Sequence, residues 1–310
     1  MNELGLVFPT RRAGLFFNKY LGGCLEHPVW SPSIYTIQDL MAGISELAYA
    51  DELELISELY SIYNQVRGRE ESFDDFYYWG EIMLADFDDV DKYRIEAGDL
   101  FRNLADLKEM EDAFQSLSAE QIELIRRFWG HFSADQQSEQ KKQFLDVWNV
   151  LNPVYEKLRN KLLMNGTGYE GMIYRNVADK IKDGDSLNLP GSIMVFIGFN
   201  ALNPCEEFLF RFLSDAGKAL FYWDYDNFYL ENDMHEDGRF ISKNIASYKD
   251  SGQGIRLDNL LKPGKHIQFY SMPGDIGQAQ LIHHILAEAQ KSGSVGEETA
   301  IVLADEELLI

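Results

Sequence analysis

Carboxylates are the most abundant reactive groups in this chain, with 51 Asp and Glu against 28 Lys and Arg for a net charge of −23. Two clusters stand out. Asp86, Asp88, Asp89 and Asp91 crowd one short stretch. Such oxygens can chelate a metal, but the glycine and the later Glu of a calcium loop are missing, so an acidic helix end is the simpler reading. Asp224 and Asp226, within Trp223-Asp224-Tyr225-Asp226-Asn227-Phe228-Tyr229, form an Asp-x-Asp at the end of an apolar run. That pair could hold a divalent metal with a nucleotide-sugar, which would make the protein a metal-dependent transferase. His283 and His284 are adjacent and point about 100° apart on a helix, so they share no face. No Cys–His or carboxylate–His set of catalytic spacing accompanies them.

Phosphate chemistry is the next possibility. A phosphate loop, Gly-x4-Gly-Lys-[Ser/Thr], cradles phosphates on backbone N–H groups and sets a Lys on the terminal phosphates. Gly217-Lys218-Ala219 and Gly264-Lys265-His266 lack both the following hydroxyl and the upstream glycine. In Val195-Phe196-Ile197-Gly198-Phe199-Asn200 an apolar strand ends where an ATPase would carry Asp for Mg²⁺ and Glu for the attacking water. Gly198-Phe199 stands there instead, and the next carboxylates are Glu206 and Glu207. Phe8-Pro9-Thr10-Arg11-Arg12-Ala13-Gly14 joins a strand to a helix. Thr10, Arg11 and Arg12 at such a helix start could contact a nucleic-acid backbone; a solvated helix start is the bland reading.

The elements that would position these groups fall into three blocks. Strands are expected at Leu4–Phe8, Ser33–Ile37, Ile193–Ile197, Ala219–Trp223, Ile267–Tyr270 and Thr299–Leu303. Helices are expected from Arg12 to Leu21, stopped by Gly22-Gly23, at Pro204–Ala216, near Arg239–Tyr248 and at Ile276–Gln290. Between the first and last sets, about 38–189 reads as almost entirely helical. Ser72 caps one helix, Ser118-Ala119-Glu120-Gln121 opens another before Ile122–Trp129, and Pro153 should kink or interrupt a third over Phe144–Leu163. Residues 1–37 and 190–310 therefore form one discontinuous α/β domain, mostly parallel, with 38–189 as a helical insertion. Asp305-Glu306-Glu307-Leu308 reads as a helix start just after a strand, which suggests that the chain is part of something longer.

The overall charge repels phosphate at long range, so nucleic acid could approach only at a local basic patch. Two cysteines, Cys24 and Cys205, make a disulfide framework implausible. No apolar run could cross a bilayer and no signal sequence opens the chain, which favours a cytoplasmic protein without membrane partners.

In their order these segments resemble superfamily 1 helicases, whose core is a P-loop-NTPase-like sheet. Thr10-Arg11-Arg12-Ala13 resembles the helicase motif that touches single-stranded DNA. Gly198, Phe199 and Asn200 fall where the Asp-Glu pair belongs. Asp224, Asp226, Asn227 and Tyr229 resemble a weakened Gly-Asp-x-Asp-Gln-x-x-Tyr motif. The chain is similar along its length to AddB-type subunits of bacterial helicase–nucleases, in particular PD-(D/E)XK-bearing relatives of Bacteroides-like bacteria. The similarity is carried by Phe8–Gly14, Ser72–Gly80, Asp86–Tyr93, Tyr169–Arg175 and Gly198–Asn200. It implies a non-catalytic scaffold and single-strand guide in the processing of broken DNA ends. Unwinding would come from an AddA/RecB-like partner, and cutting from a C-terminal nuclease domain that alone would need Mg²⁺. No ATP site and no catalytic residue is expected in these residues. A protein-interaction module is the remaining alternative.

Overall fold

The computed structural model describes residues 4–68, 72–102, 138–231, 237–249, 251–252, 258–262, 264–291, 293, 295–296 and 299–303, without the side chains of 102, 138–149 and 237. The expected helix at Ile122–Trp129 lies outside them. Contacts divide the chain into two compact units, Met1–Asn259 and Leu260–Ile310.

In the first unit a parallel sheet is built from β1 (Leu4–Phe8), β2 (Ser33–Thr36), β5 (Ile193–Ile197) and β6 (Ala219–Tyr222), in the order β2-β1-β5-β6. Its register sets Leu6 beside Val195 and Phe196 beside Phe221. Each strand is a short apolar run whose neighbours supply the backbone partners. The result is the expected α/β fold, consistent with a P-loop-like domain.

One sheet face carries Val7, Met194, Phe196 and Phe221. It is covered by α2 (Ile37–Ser45), α7 (Glu170–Asp183) and α8 (Pro204–Asp215), which bury Met41, Ile173 and Phe210 against it. Removing each such side chain from water is worth about 1.5–3 kcal/mol. The other face, with Leu6, Phe8 and Val195, is met by Ala13 and Phe17 of α1 (Arg11–Cys24). That helix runs past the expected stop. Gly22 and Gly23 do not adopt the left-handed backbone that ends a helix, and the exit comes at Leu25 in extended conformation.

A helical block lies between β2 and β5. It comprises α3 (Glu52–Arg67), α4 (Phe73–Lys92), α5 (Ala97–Arg102) and α6 (Ser138–Asn165), around Ile56, Leu59, Phe76, Phe87, Val154 and Leu158. The short pair β3 (Ala48–Tyr49) and β4 (Thr167–Gly168) joins its two ends. Ser72 caps α4 by accepting from Asp75 N–H. Pro153 does not interrupt α6. Leu151, Val154, Tyr155 and Leu158 are buried on either side of it and hold the helix through the lost hydrogen bond. By packing, α2 and α7 belong to the sheet layer, although their residues fall mostly within the expected insertion.

Helix α7 approaches α4 so closely that a Cβ on Gly171 would overlap the backbone carbonyl of Asp88. The Gly171 N–H donates to the Asp88 carboxylate at 2.5 Å. Gly171→Ala should therefore lower the unfolding free energy by about 1–3 kcal/mol through overpacking. A urea titration with an unchanged slope would measure it, and a midpoint equal to wild type would refute this contact.

After β6 come a single turn, α9 (Asn227–Leu230), and α10 (Asp237–Ser247). In the second unit α11 (Asp275–Lys291) forms close to its expected bounds. The strands expected at Ile267–Tyr270 and Thr299–Leu303 make no sheet pairing among the described residues. Phe269 and Val302 are 94% and 89% exposed. An apolar run becomes a strand only where a neighbour satisfies its backbone, and no described segment does so here.

Candidate functional site

Chain direction through the sheet locates the site. From β1 the chain passes through α1 to β2 on one side, whereas from β5 it passes through α8 to β6 on the other. Winding therefore reverses between β1 and β5. In open α/β sheets, ligands occupy the crevice beyond the carboxyl ends of the strands at such a reversal. Here that crevice is edged by Pro9-Thr10 and by Gly198–Asn203, so the expected residues Thr10, Arg11, Arg12, Gly198, Phe199 and Asn200 lie at its two lips.

Only Pro9 and Thr10 connect β1 to α1. Two residues carry too few N–H groups to wrap a phosphate, and Pro9 carries none. Thr10 caps α1 instead, accepting from Ala13 N–H at 3.3 Å. Arg11 reaches Asp39 at 3.7 Å, an exposed pair worth little in stability. Asp39 completes a capping box with Thr36 at the start of α2. Burial raises the Asp39 carboxyl, but hydrogen bonds from Thr36 and the Arg11 charge outweigh it and hold it below its usual range. Arg12 is exposed.

Gly198 leaves β5 with φ +73°, and its N–H donates to Tyr222 O at 3.0 Å. A side chain there would strain the turn. Phe199 is core, its ring 6.0 Å from Phe196 and 5.3 Å from Phe210. Asn200 uses its backbone carbonyl to accept from Asn244 Nδ2 at 2.6 Å. Asn203 and Glu206 then form a second capping box, on α8. Two helix N-termini at this edge, on α2 and α8, thus hold the protein's own carboxylates, Asp39 and Glu206, where an anion would otherwise sit. Glu206 is buried, which lifts its carboxyl to about 7 against the pull of the Asn203 N–H and Lys92.

The second carboxylate pair is structural on one side. Asp226 accepts from Phe228 N–H at 3.0 Å and, through its other oxygen, from Asn259 N–H at 2.7 Å. Asn227 Nδ2 donates to Asp258 at 2.8 Å. Asp224 is exposed, and the Tyr229 ring lies 5.4 Å from that of Phe228. Among the described residues no three His, Cys, Asp or Glu come together as metal ligands. His283 and His284 are exposed on α11 with ring centres 6.2 Å apart.

The four clustered acids of α4, Asp86, Asp88, Asp89 and Asp91, are half-buried or buried. Asp88 pairs with Lys92 at 2.7 Å, and Lys92 also meets Glu170 at 3.2 Å. Asp91 is fully buried. It accepts from Tyr155 OH and Tyr169 OH, each at 2.5 Å, with the guanidiniums of Arg159 and Arg175 at 3.8 and 3.7 Å. Its backbone carbonyl accepts from Cys205 Sγ at 3.5 Å. Burial raises its carboxyl, against Arg159 and the two phenols, and burial likewise drives the Tyr169 hydroxyl up. This centre joins α4, α6, α7 and α8. Sequence reading missed it, although one signal was present: Phe76, Gly80, Met83, Phe87 and Asp91 continue a single buried helix stripe.

Among the described residues no helix is long and apolar enough to cross a membrane. No protein-family model matches the chain, and no curated protein matches it significantly.

Proposed function

We propose that this chain is a non-catalytic, helicase-like region of a DNA double-strand-break-processing helicase–nuclease, serving as scaffold and as a guide for single-stranded DNA. One observation carries the reading: the winding of the sheet reverses between β1 and β5, but the helix N-termini of α2 and α8 are capped by Asp39 and Glu206 and the β1–α1 connection is two residues long. The resemblance of Thr10, Arg11 and Arg12 to a single-strand-contacting motif supplies the DNA part, and their exposure at the crevice lip supports it. ATP-driven unwinding would belong to an AddA/RecB-like partner, and Mg²⁺-dependent cutting to a PD-(D/E)XK nuclease domain.

The test joins turnover to binding. With single-stranded DNA present, ATP hydrolysis should stay at background. The double variant Arg11→Ala/Arg12→Ala should bind more weakly, with the slope of log affinity against log salt reduced by about two. Clear ATP turnover would remove the non-catalytic reading, and wild-type binding by the double variant would remove the contact. A metal-dependent transferase using Asp224 and Asp226 has less support, because Asp226 spends both oxygens on backbone N–H groups.

A further inference from the structure

The outward face of α1 combines exposed rings with basic side chains. Its inward face is anchored: Gly14 is buried with Ile34 and Phe8 beside it, and the Phe17 ring lies 5.4 Å from that of Phe8. Arg12, Phe16 and Tyr20 recur every fourth residue, and Lys19 follows Phe16 by three and flanks its ring, so the four lie on the side away from the sheet. Tyr20 is 65% exposed and Phe16 39%. Their ring centres lie 6.4 Å apart, and Lys19 Nζ sits 5.9 Å from the Phe16 centroid. From Leu4 to Leu25 the chain has three basic residues and no acidic one, within a protein of net charge −23. The segment returning to β2 comes back beside this helix, where Ser31 OH donates to Asn18 Oδ1 at 3.5 Å, and it carries the exposed ring of Trp30.

We propose that this stripe, Arg12, Phe16, Lys19 and Tyr20, is a stacking platform for single-stranded DNA, an inference that rests on the DNA-guiding role above. Cations interleaved with exposed rings suit a polyanion whose bases are free to stack. Duplex DNA hides those faces, and the protein's net negative charge repels phosphate at long range, so a strand is drawn to this local basic stripe. The stripe begins next to Arg11 at the crevice lip and continues along α1 for about 12 Å from Arg12 to Tyr20.

The experiment is fluorescence anisotropy of the whole chain with a labelled 20-nucleotide oligo(dT), its duplex with oligo(dA), and oligo(U). Single-stranded DNA should bind tightest. Phe16→Ala and Tyr20→Ala should each weaken it roughly 5- to 100-fold with little change in salt slope, whereas Lys19→Ala lowers the slope by about one. Tyr20→Phe should bind as wild type, and circular dichroism should show all variants folded. Aromatic variants that bind normally while Arg11→Ala/Arg12→Ala does not would sink the platform and leave the DNA role standing. A preference for duplex or for oligo(U) would also overturn it. Failure of the wild-type chain to bind any DNA would remove both.

Discussion

Asp91→Ala should lower the free energy of unfolding by about 3–5 kcal/mol, because it strands two guanidiniums and two phenols around a buried site. Asp91 is where α4, α6 and α7 meet, and Cys205 links it to α8. Its loss should loosen the helical block from the layer that covers the sheet. Asp91→Asn keeps the shape and one acceptor but loses the charge, so it should fall between the two. Tyr155→Phe and Tyr169→Phe should each cost about 1–2 kcal/mol, and less when Asp91 is already Ala, since these groups act as one network. Chemical denaturation with a common slope gives all four values. An Asp91→Ala midpoint close to wild type would show that the network contributes no net stability.

Glu206→Gln should change how stability depends on pH. Burial lifts the Glu206 carboxyl from 4.5 to about 7. Between those values the folded protein holds a proton that the unfolded chain has released, so stability falls as pH rises through this window and levels off above it. The full effect is at most about 3 kcal/mol. Lys92 pulls the group down, while Glu170 and Glu207 push it up, so the window belongs to the cluster as much as to one carboxyl. The Gln side chain can still reach the Asn203 N–H as in a capping box. The variant should therefore match wild type near pH 5 and be more stable by about 2–3 kcal/mol at pH 8. Equal slopes in both proteins between pH 5 and 8 would show that Glu206 is not held protonated.

Much of the frame was legible from residue order. The runs at Leu4–Phe8 and Ile193–Ile197 are strands because they are apolar and short, and both find neighbours. The helical block follows from the spacing of Leu55, Ile56, Leu59 and Ile62. Ile267–Tyr270 has the same strand character but no ladder among the described residues, because pairing is supplied by another segment and not by the run itself. Pro153 and Gly22-Gly23 carried local stop signals that the helices pass through, since packing outweighs a single propensity.

The candidate site divides in the same way. Sequence alone determined that no Gly-x4-Gly-Lys-[Ser/Thr] run is present, that Gly198-Phe199 and not an acidic pair follows the apolar run Val195–Ile197, and that Thr10, Arg11 and Arg12 begin a helix after a strand. These are statements about residue type and local order. Tertiary structure decided which carboxylates matter. By residue type nothing marks Asp91 within its acidic helix end, or Glu206, among the 51 acids of the chain, yet both are buried. It also decided that Phe199 is core and that Asp226 braces its own turn. The reason is physical: burial and partners depend on elements distant in the chain, here Tyr155 and Arg175 brought to Asp91 from α6 and α7, and no local pattern encodes that meeting.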